Sequence, residues 1–170
     1  MTTPEPALAA DGNPVLSAEE IGKRFLKLLE GLESREDLSP ERIRDVMGIT
    51  LRVEPGTLGA VHWGPELGGG WRYALAYYPA SPPSPKGTDL SFEHRESRFS
   101  DMSAICELDF HFYHGALKAM GYRDVPIYGE IGDLRSWRYY KNDIVISIIP
   151  QNVVAGQAGR TCVKSIGTLN

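Results

Sequence analysis

Between Ser103 and Tyr122 the chain reads SAICELDFHFYHGALKAMGY, and the period of its apolar residues decides what the rest of the molecule packs against. Read with period two, Glu107, Asp109 and His111 share a strand face opposite Leu108, Phe110 and Phe112, but that alternation lasts only six residues. Read at about 100° per residue, Ile105, Cys106, Leu108, Phe110, Phe112, Tyr113, Ala116, Leu117, Ala119 and Met120 fall on one broad arc. The helical template accounts for more of the segment, and Gly121 follows as its stop. The spacing therefore predicts one helix over residues 103–120, wide enough in its apolar arc to be wrapped by a sheet.

The helix sorts its polar residues into two groups. Glu107, His111 and His114, at i, i+4 and i+7, lie on the opposite face, where they form either a solvated surface or a shared metal site. Asp109 falls inside the apolar arc, where an unpaired carboxylate costs several kcal/mol, so it is expected to be paired, hydrogen-bonded or protonated. Arg52, Arg72, Arg135 and Arg138, all on expected strands, are its natural partners. The outcome is either a structural ion pair or cap, or a functional pocket built around a buried carboxylate.

The flanking sequence supplies the other layer. Ser17 and Glu20 form a capping-box signature ahead of Ile21, Phe25, Leu28, Leu29 and Leu32, and Ser39-Pro40 opens a second short helix that stops at Gly48. ITLRVEPG alternates into a Pro-Gly turn. TLGAVHW and WRYALAYY read as a hairpin across the Gly-rich GPELGGG, with Trp71, Tyr73, Leu75 and Tyr77 on one face. PASPPSPKG is a loop, because prolines cannot donate to a ladder, and a further strand centres on Leu90 and Phe92. RSWRYYKNDIVISII turns at Lys141-Asn142-Asp143 into a strand that is apolar on nearly both faces, and RTCVKSIG closes the chain as a last strand. The expected architecture is α+β: a largely antiparallel sheet of six to seven strands against one long central helix and two N-terminal helices. Residues 1–16 are expected as a flexible arm and 17–170 as one domain.

Composition narrows the function. The net charge is −4, with 10 acidic and 6 basic side chains in residues 1–47 and 12 of each after them, so no basic stripe for nucleic acid is expected. No run approaches membrane-spanning length and no secretory leader is read, which makes a cytoplasmic setting the expectation. Cys106 and Cys162 are too few for a disulfide framework and lack C-x-x-C spacing. A single bridge between them is left open. If Cys106 lies on the helix's apolar arc, it is a small buried hydrophobe with no reason to react. No phosphate loop, nucleophile elbow or H-E-x-x-H stands in the sequence, and no cofactor is expected. His62 and His94 have no supporting spacing.

Two loops offer a partner exposed aromatic and acidic groups: HWGPELGGGW, with Trp63, Glu66 and Trp71, and PASPPSPKGTDLSFEHRE, with Glu93 and Glu96. Against this stands the commoner fate of strand tryptophans, which is burial. The order of helices and strands, with LKAMGY and the hairpin WRYYKNDIVISI, resembles the small α+β immunity proteins encoded beside bacterial antibacterial toxins. That resemblance covers residues 100–150 and implies a protein that binds a cognate toxin and blocks it without catalysis. The competing expectations are a small enzyme using Asp109, Glu107, His111 and His114, and a secretion adaptor or chaperone with an exposed apolar groove.

Overall fold

The computed structural model describes residues 4–57, 59–157 and 159–169. The first three residues of the expected arm, Leu58 of the expected strand TLGAVHW, and the last residue of the expected domain lie outside the described residues.

Helix α1 spans Ala18–Glu30, with the Ser17 hydroxyl accepting from the Glu20 amide at 3.1 Å. Its buried positions Ile21, Phe25, Leu28 and Leu29 repeat at helical spacing. Helix α2, Pro40–Met47, is capped by Ser39 and stops at Gly48. Arg24 of α1 donates to the Met47 carbonyl at 2.7 Å, which satisfies an orphan acceptor at the end of α2 and ties the two helices together. Ahead of α1, the chain carries a docked turn. Asn13 is buried, and its amide clamps Thr50 with one bond in each direction, at 3.1 and 2.7 Å.

Eight strands follow: β1 (Arg52–Val53), β2 (Ala60–Trp63), β3 (Trp71–Tyr78), β4 (Gly87–His94), β5 (Arg123–Tyr128), β6 (Leu134–Lys141), β7 (Ile144–Asn152) and β8 (Thr161–Thr168). They form one sheet in the order β1-β2-β3-β4-β8-β7-β6-β5, antiparallel at every pairing. The expected α+β class and antiparallel sheet hold, but the strand count rises from six or seven to eight. The added strand is β5, whose Pro126 argues against a central position. It is an edge strand, and there a missing amide is tolerated.

The expected central helix is corrected most. Ser103–Ile105 is a single 3-10 turn, and α3 covers only Phe110–Ala119. Two interactions account for the shorter helix. Asp109 stands at the N-cap, extended in backbone, with its carboxylate accepting from the Phe112 amide at 3.0 Å. Three residues earlier, Cys106 is bonded to Cys162 of β8, so the approach to the helix is tied to the sheet. Ile105, Cys106 and Leu108 are buried as their apolarity demands, without being helical. Within α3 only Phe110, Tyr113 and Leu117 are fully buried, while Phe112 is exposed. Gly22 of α1 is where α3 comes closest: a Cβ there would meet the Tyr113 hydroxyl at 2.1 Å.

Register fixes what each face of the sheet shows, because residues directly opposite in a ladder point to the same side. One row runs His62, Leu75, Leu90, Ile166, Ile148, Trp137, Pro126. Leu75, Leu90, Ile166 and Ile148 join the helix residues Ile21, Phe25, Leu29, Ile43, Met47, Tyr113 and Leu117 in one buried cluster. The next row runs Arg52, Val61, Ala76, Asp89, Gly167, Ser147, Arg138, Val125 and crosses all eight strands on the other side.

Candidate functional site

The second row belongs to a face that contributes nothing to the helix-packed cluster. A neighbouring row, Trp63, Ala74, Ser91, Ser165, Ile149, lies on the same side, and beyond it Arg72 stands opposite Glu93. Small residues make the middle of this face and larger ones its margins. Trp63 is 40% exposed, Tyr78 49% and Ile149 46%, so three large apolar side chains share this one face of the sheet. The Arg72 guanidinium lies 4.0 Å over the Trp63 ring, holding the indole against the strand.

Asp89 and Arg138 set the electrostatics. Neither has a hydrogen-bond or ion-pair partner among the described residues, and the Arg138 Nε is fully buried. Gly167 lets Asp89 sit low on the sheet, since a Cβ at that glycine would meet the Asp89 Cβ at 2.4 Å. Burial, then the nearby negative charge of Glu93, pushes the Asp89 carboxyl up to about 6. Burial, followed by the Asp89 charge, also raises the Tyr78 phenol above its ordinary value.

A cavity of about 800 Å³ opens at the end of this face. Val61, Trp63, Ala76 and Tyr78 belong to its walls, with Pro79 and Pro85 of the proline-rich loop and Glu54 of the β1–β2 turn.

The sequence-derived candidates distribute unevenly around this face. Trp63 lies on it. Trp71 does not: it is fully buried in the opposite face, donating its indole N–H to the Asp101 carbonyl at 2.7 Å, so it is withdrawn as a partner contact. Glu66 and Glu93 line one cleft of about 500 Å³ with Arg72 and Arg95 at the glycine-rich end of β3, and exposed Glu96 follows two residues beyond His94. The proline-rich loop, residues 79–86, leaves from the other end of the same strand pair.

Asp109 finds neither a pocket nor any of the four expected arginines. Besides capping α3, it lies 3.8 Å from Arg160, with its side chain 29% exposed. Glu107 precedes the helix, and its carbonyl accepts from Arg160 at 3.2 Å, so the i, i+4, i+7 set with His111 and His114 has no common helical face. His111 is exposed. His114 turns toward the sheet, its Nδ1 2.8 Å from the Tyr139 hydroxyl and its ring packed beside Trp137. Among the described residues no three metal-ligating side chains gather.

His62, unsupported by spacing, is buried on the helix-covered side of β2. Its Nδ1 lies 3.4 Å from the Asp11 carboxylate and 3.3 Å from the Asn13 amide, while burial, opposed by Asp11, lowers its pKa. Its Nε2 and the hydroxyl of Tyr73, whose ring centroid is 5.8 Å away, are enclosed without hydrogen bonds. This arrangement anchors the N-terminal turn to the core.

Sequence reasoning passed over Asp89 and Ile149, and named Arg138 only as a partner for Asp109. Alternation in TDLSFEH places Asp89 and Ser91 opposite Leu90 and Phe92, so the signal for an outward carboxylate was present. That nothing packs over it depends on tertiary structure. No helix among the described residues is long and apolar enough to cross a membrane. No family model, curated protein or solved structure matches this chain.

Proposed function

We propose that this chain is a non-enzymatic binding protein that neutralises a toxin by covering it, and that the helix-free face of the sheet is the surface it uses. The observation that carries this reading is that exposed Trp63, Tyr78 and Ile149 share one sheet face with Asp89 and Arg138, charges with no partner among the described residues. Aromatic and arginine side chains are enriched in tight protein interfaces, and here they rim a flat middle of small residues that a partner can approach closely. Asp89 and Glu93 interspersed with Arg72 and Arg138 favour a protein partner over nucleic acid, which calls for a basic stripe. The carboxylate-histidine alternative loses its support, since Asp109 caps a helix and Glu107 lies outside it.

The Cys106–Cys162 bond bears on the setting. Disulfides persist in oxidising compartments, so we place the protein there in preference to the cytoplasm expected from sequence. The resemblance to immunity proteins names the partner class: a toxin encoded beside this chain. Co-expression with that neighbouring product tests the reading. Growth should be restored by the wild-type chain and lost again with Trp63→Ala plus Ser147→Arg, both variants folding normally. Failure of the purified chain to form a complex with that product would overturn the proposal.

A further inference from the structure

The cavity at the end of the open face has a chemistry of its own. Its described walls are largely apolar, with two aromatic rings, Trp63 and Tyr78, and two prolines, Pro79 and Pro85. Its volume of about 800 Å³ falls in the range that holds small organic ligands, roughly 300–1,000 Å³. Among the described residues lining it, Glu54 is the one formally charged residue, and no lysine or arginine is present.

A second carboxylate stands beside it. Asp89 is directly opposite Ala76 of the cavity wall and two residues along β4 from Gly87, another wall residue. It has no partner of its own among the described residues. The groups facing Asp89 are Ala76 and Tyr78 on β3, Gly167 and Ser165 on β8, and Glu93 on its own strand, so nothing cationic compensates it. The nearest basic side chain on β3, Arg72, is engaged with the Trp63 ring and stands opposite Glu93. That stacking also shows the ring accepting a cation on one of its faces.

We propose that this cavity is a binding site for a small organic cation with an apolar body, of the arylalkyl-ammonium class. The apolar portion lies among Val61, Trp63, Tyr78, Pro79 and Pro85, where leaving water stabilises it. The ammonium is directed by Glu54 in the lining and by Asp89 beside the wall residue Ala76, and by the negative faces of the two rings. An anion of the same shape meets two carboxylates, while the cation closest to the wall, Arg35, 3.9 Å from where a Cβ at Gly87 would lie, is engaged with the Lys86 and Leu169 carbonyls. The site is independent of the toxin reading, because it needs only this chain.

The test titrates the purified chain with phenethylammonium chloride, followed by amide and indole shifts in heteronuclear NMR, with 2-phenylethanol and phenylacetate as matched neutral and anionic probes. Saturable shifts confined to Gly59, Val61, Trp63, Tyr78 and Gly87 are expected for the ammonium. Binding should be about tenfold weaker for the alcohol and undetectable for phenylacetate. Asp89→Asn should weaken the ammonium about fivefold or more while leaving the alcohol unchanged, and Ala76→Met, which fills the floor from outside the core, should weaken both. Equal binding of phenylacetate, shifts centred elsewhere, or no saturable binding by the wild-type chain would each overturn the site. None of those results would touch complex formation with a toxin.

Discussion

The two faces of the sheet are built from the same strands and read from the same alternation, yet they carry opposite kinds of residue. On the covered face, Leu75, Leu90, Ile166 and Ile148 stand in register and meet Phe25, Leu29, Ile43 and Leu117 of the helices. On the open face, the parallel row substitutes Ala76, Asp89, Gly167 and Ser147, with Arg138 beyond. The first row lowers the free energy of the fold by removing apolar area from water. The second includes a desolvated carboxylate with no partner among the described residues, and the row beside it leaves Trp63 40% exposed, arrangements that cost stability. One face thus makes the core, and the other, outside that core, is the face proposed above for binding.

The sharpest way to break the comparison is to cut equal-sized holes in both faces. Leu90→Ala, in the middle of the covered row, should cost about 2–5 kcal/mol in chemical denaturation, because it removes a fully buried side chain and leaves a cavity. A cost below about 1 kcal/mol would mean that the covered face is not the core. Next in size is the link that holds α3 to the same face. Replacing Cys106 and Cys162 together by alanine releases a bond across 56 residues of sequence and should cost about 2–4 kcal/mol. Reductant should have the same effect on the wild-type chain and none on the variant.

Asp89→Asn should run the other way and stabilise the protein. The carboxyl is raised from 3.8 to about 6 by folding, so its contribution is neutral below about pH 4 and becomes a penalty as pH rises through 6. The asparagine variant should therefore match the wild type at pH 4 and exceed it by about 1–3 kcal/mol at pH 7.5. A variant less stable than wild type at pH 7.5 would give Asp89 a structural role and blur the contrast between faces. Asp109→Ala removes a helix cap and a partly exposed ion pair with Arg160, and should cost about 1 kcal/mol, seen as a modest drop in Tm. Smallest of all, Ile149→Ser on the open face should change stability by under about 0.5 kcal/mol.

The covered face was legible in the sequence and the open face only half so. Ser17 and Ser39 announced two helices, and the parity of Trp71, Tyr73, Leu75 and Tyr77 announced a buried strand face. That same parity already argued against Trp71 as an exposed anchor, since Tyr73 and Leu75 on its side demand burial. The overlong central helix came from counting Ile105, Cys106 and Leu108 by their apolarity. A cap was among the expected fates of Asp109, but inside a helix running from residue 103, and local spacing carried no sign that the helix would start there or that Cys106 would be pinned to β8. Pro126 hid β5, because the residue that excludes a central strand is compatible with an edge. For Asp89 and Arg138 the alternation gave the direction of each side chain, but their isolation depends on which strands become neighbours and on which side the helices settle. That is long-range information.

Partners are proposed to dock on the open face, and the competing surface is that of α1, α2 and the acidic connection between them. Calorimetric titration of the purified neighbouring-gene product against three chains decides between them: wild type, Ser147→Arg in the open row, and Glu41→Arg on α2. The account predicts at least a hundredfold loss of affinity for Ser147→Arg, about 2.7 kcal/mol, with Glu41→Arg within about threefold of wild type. Unchanged binding by Ser147→Arg together with loss in Glu41→Arg would contradict it and move the interface to the helices.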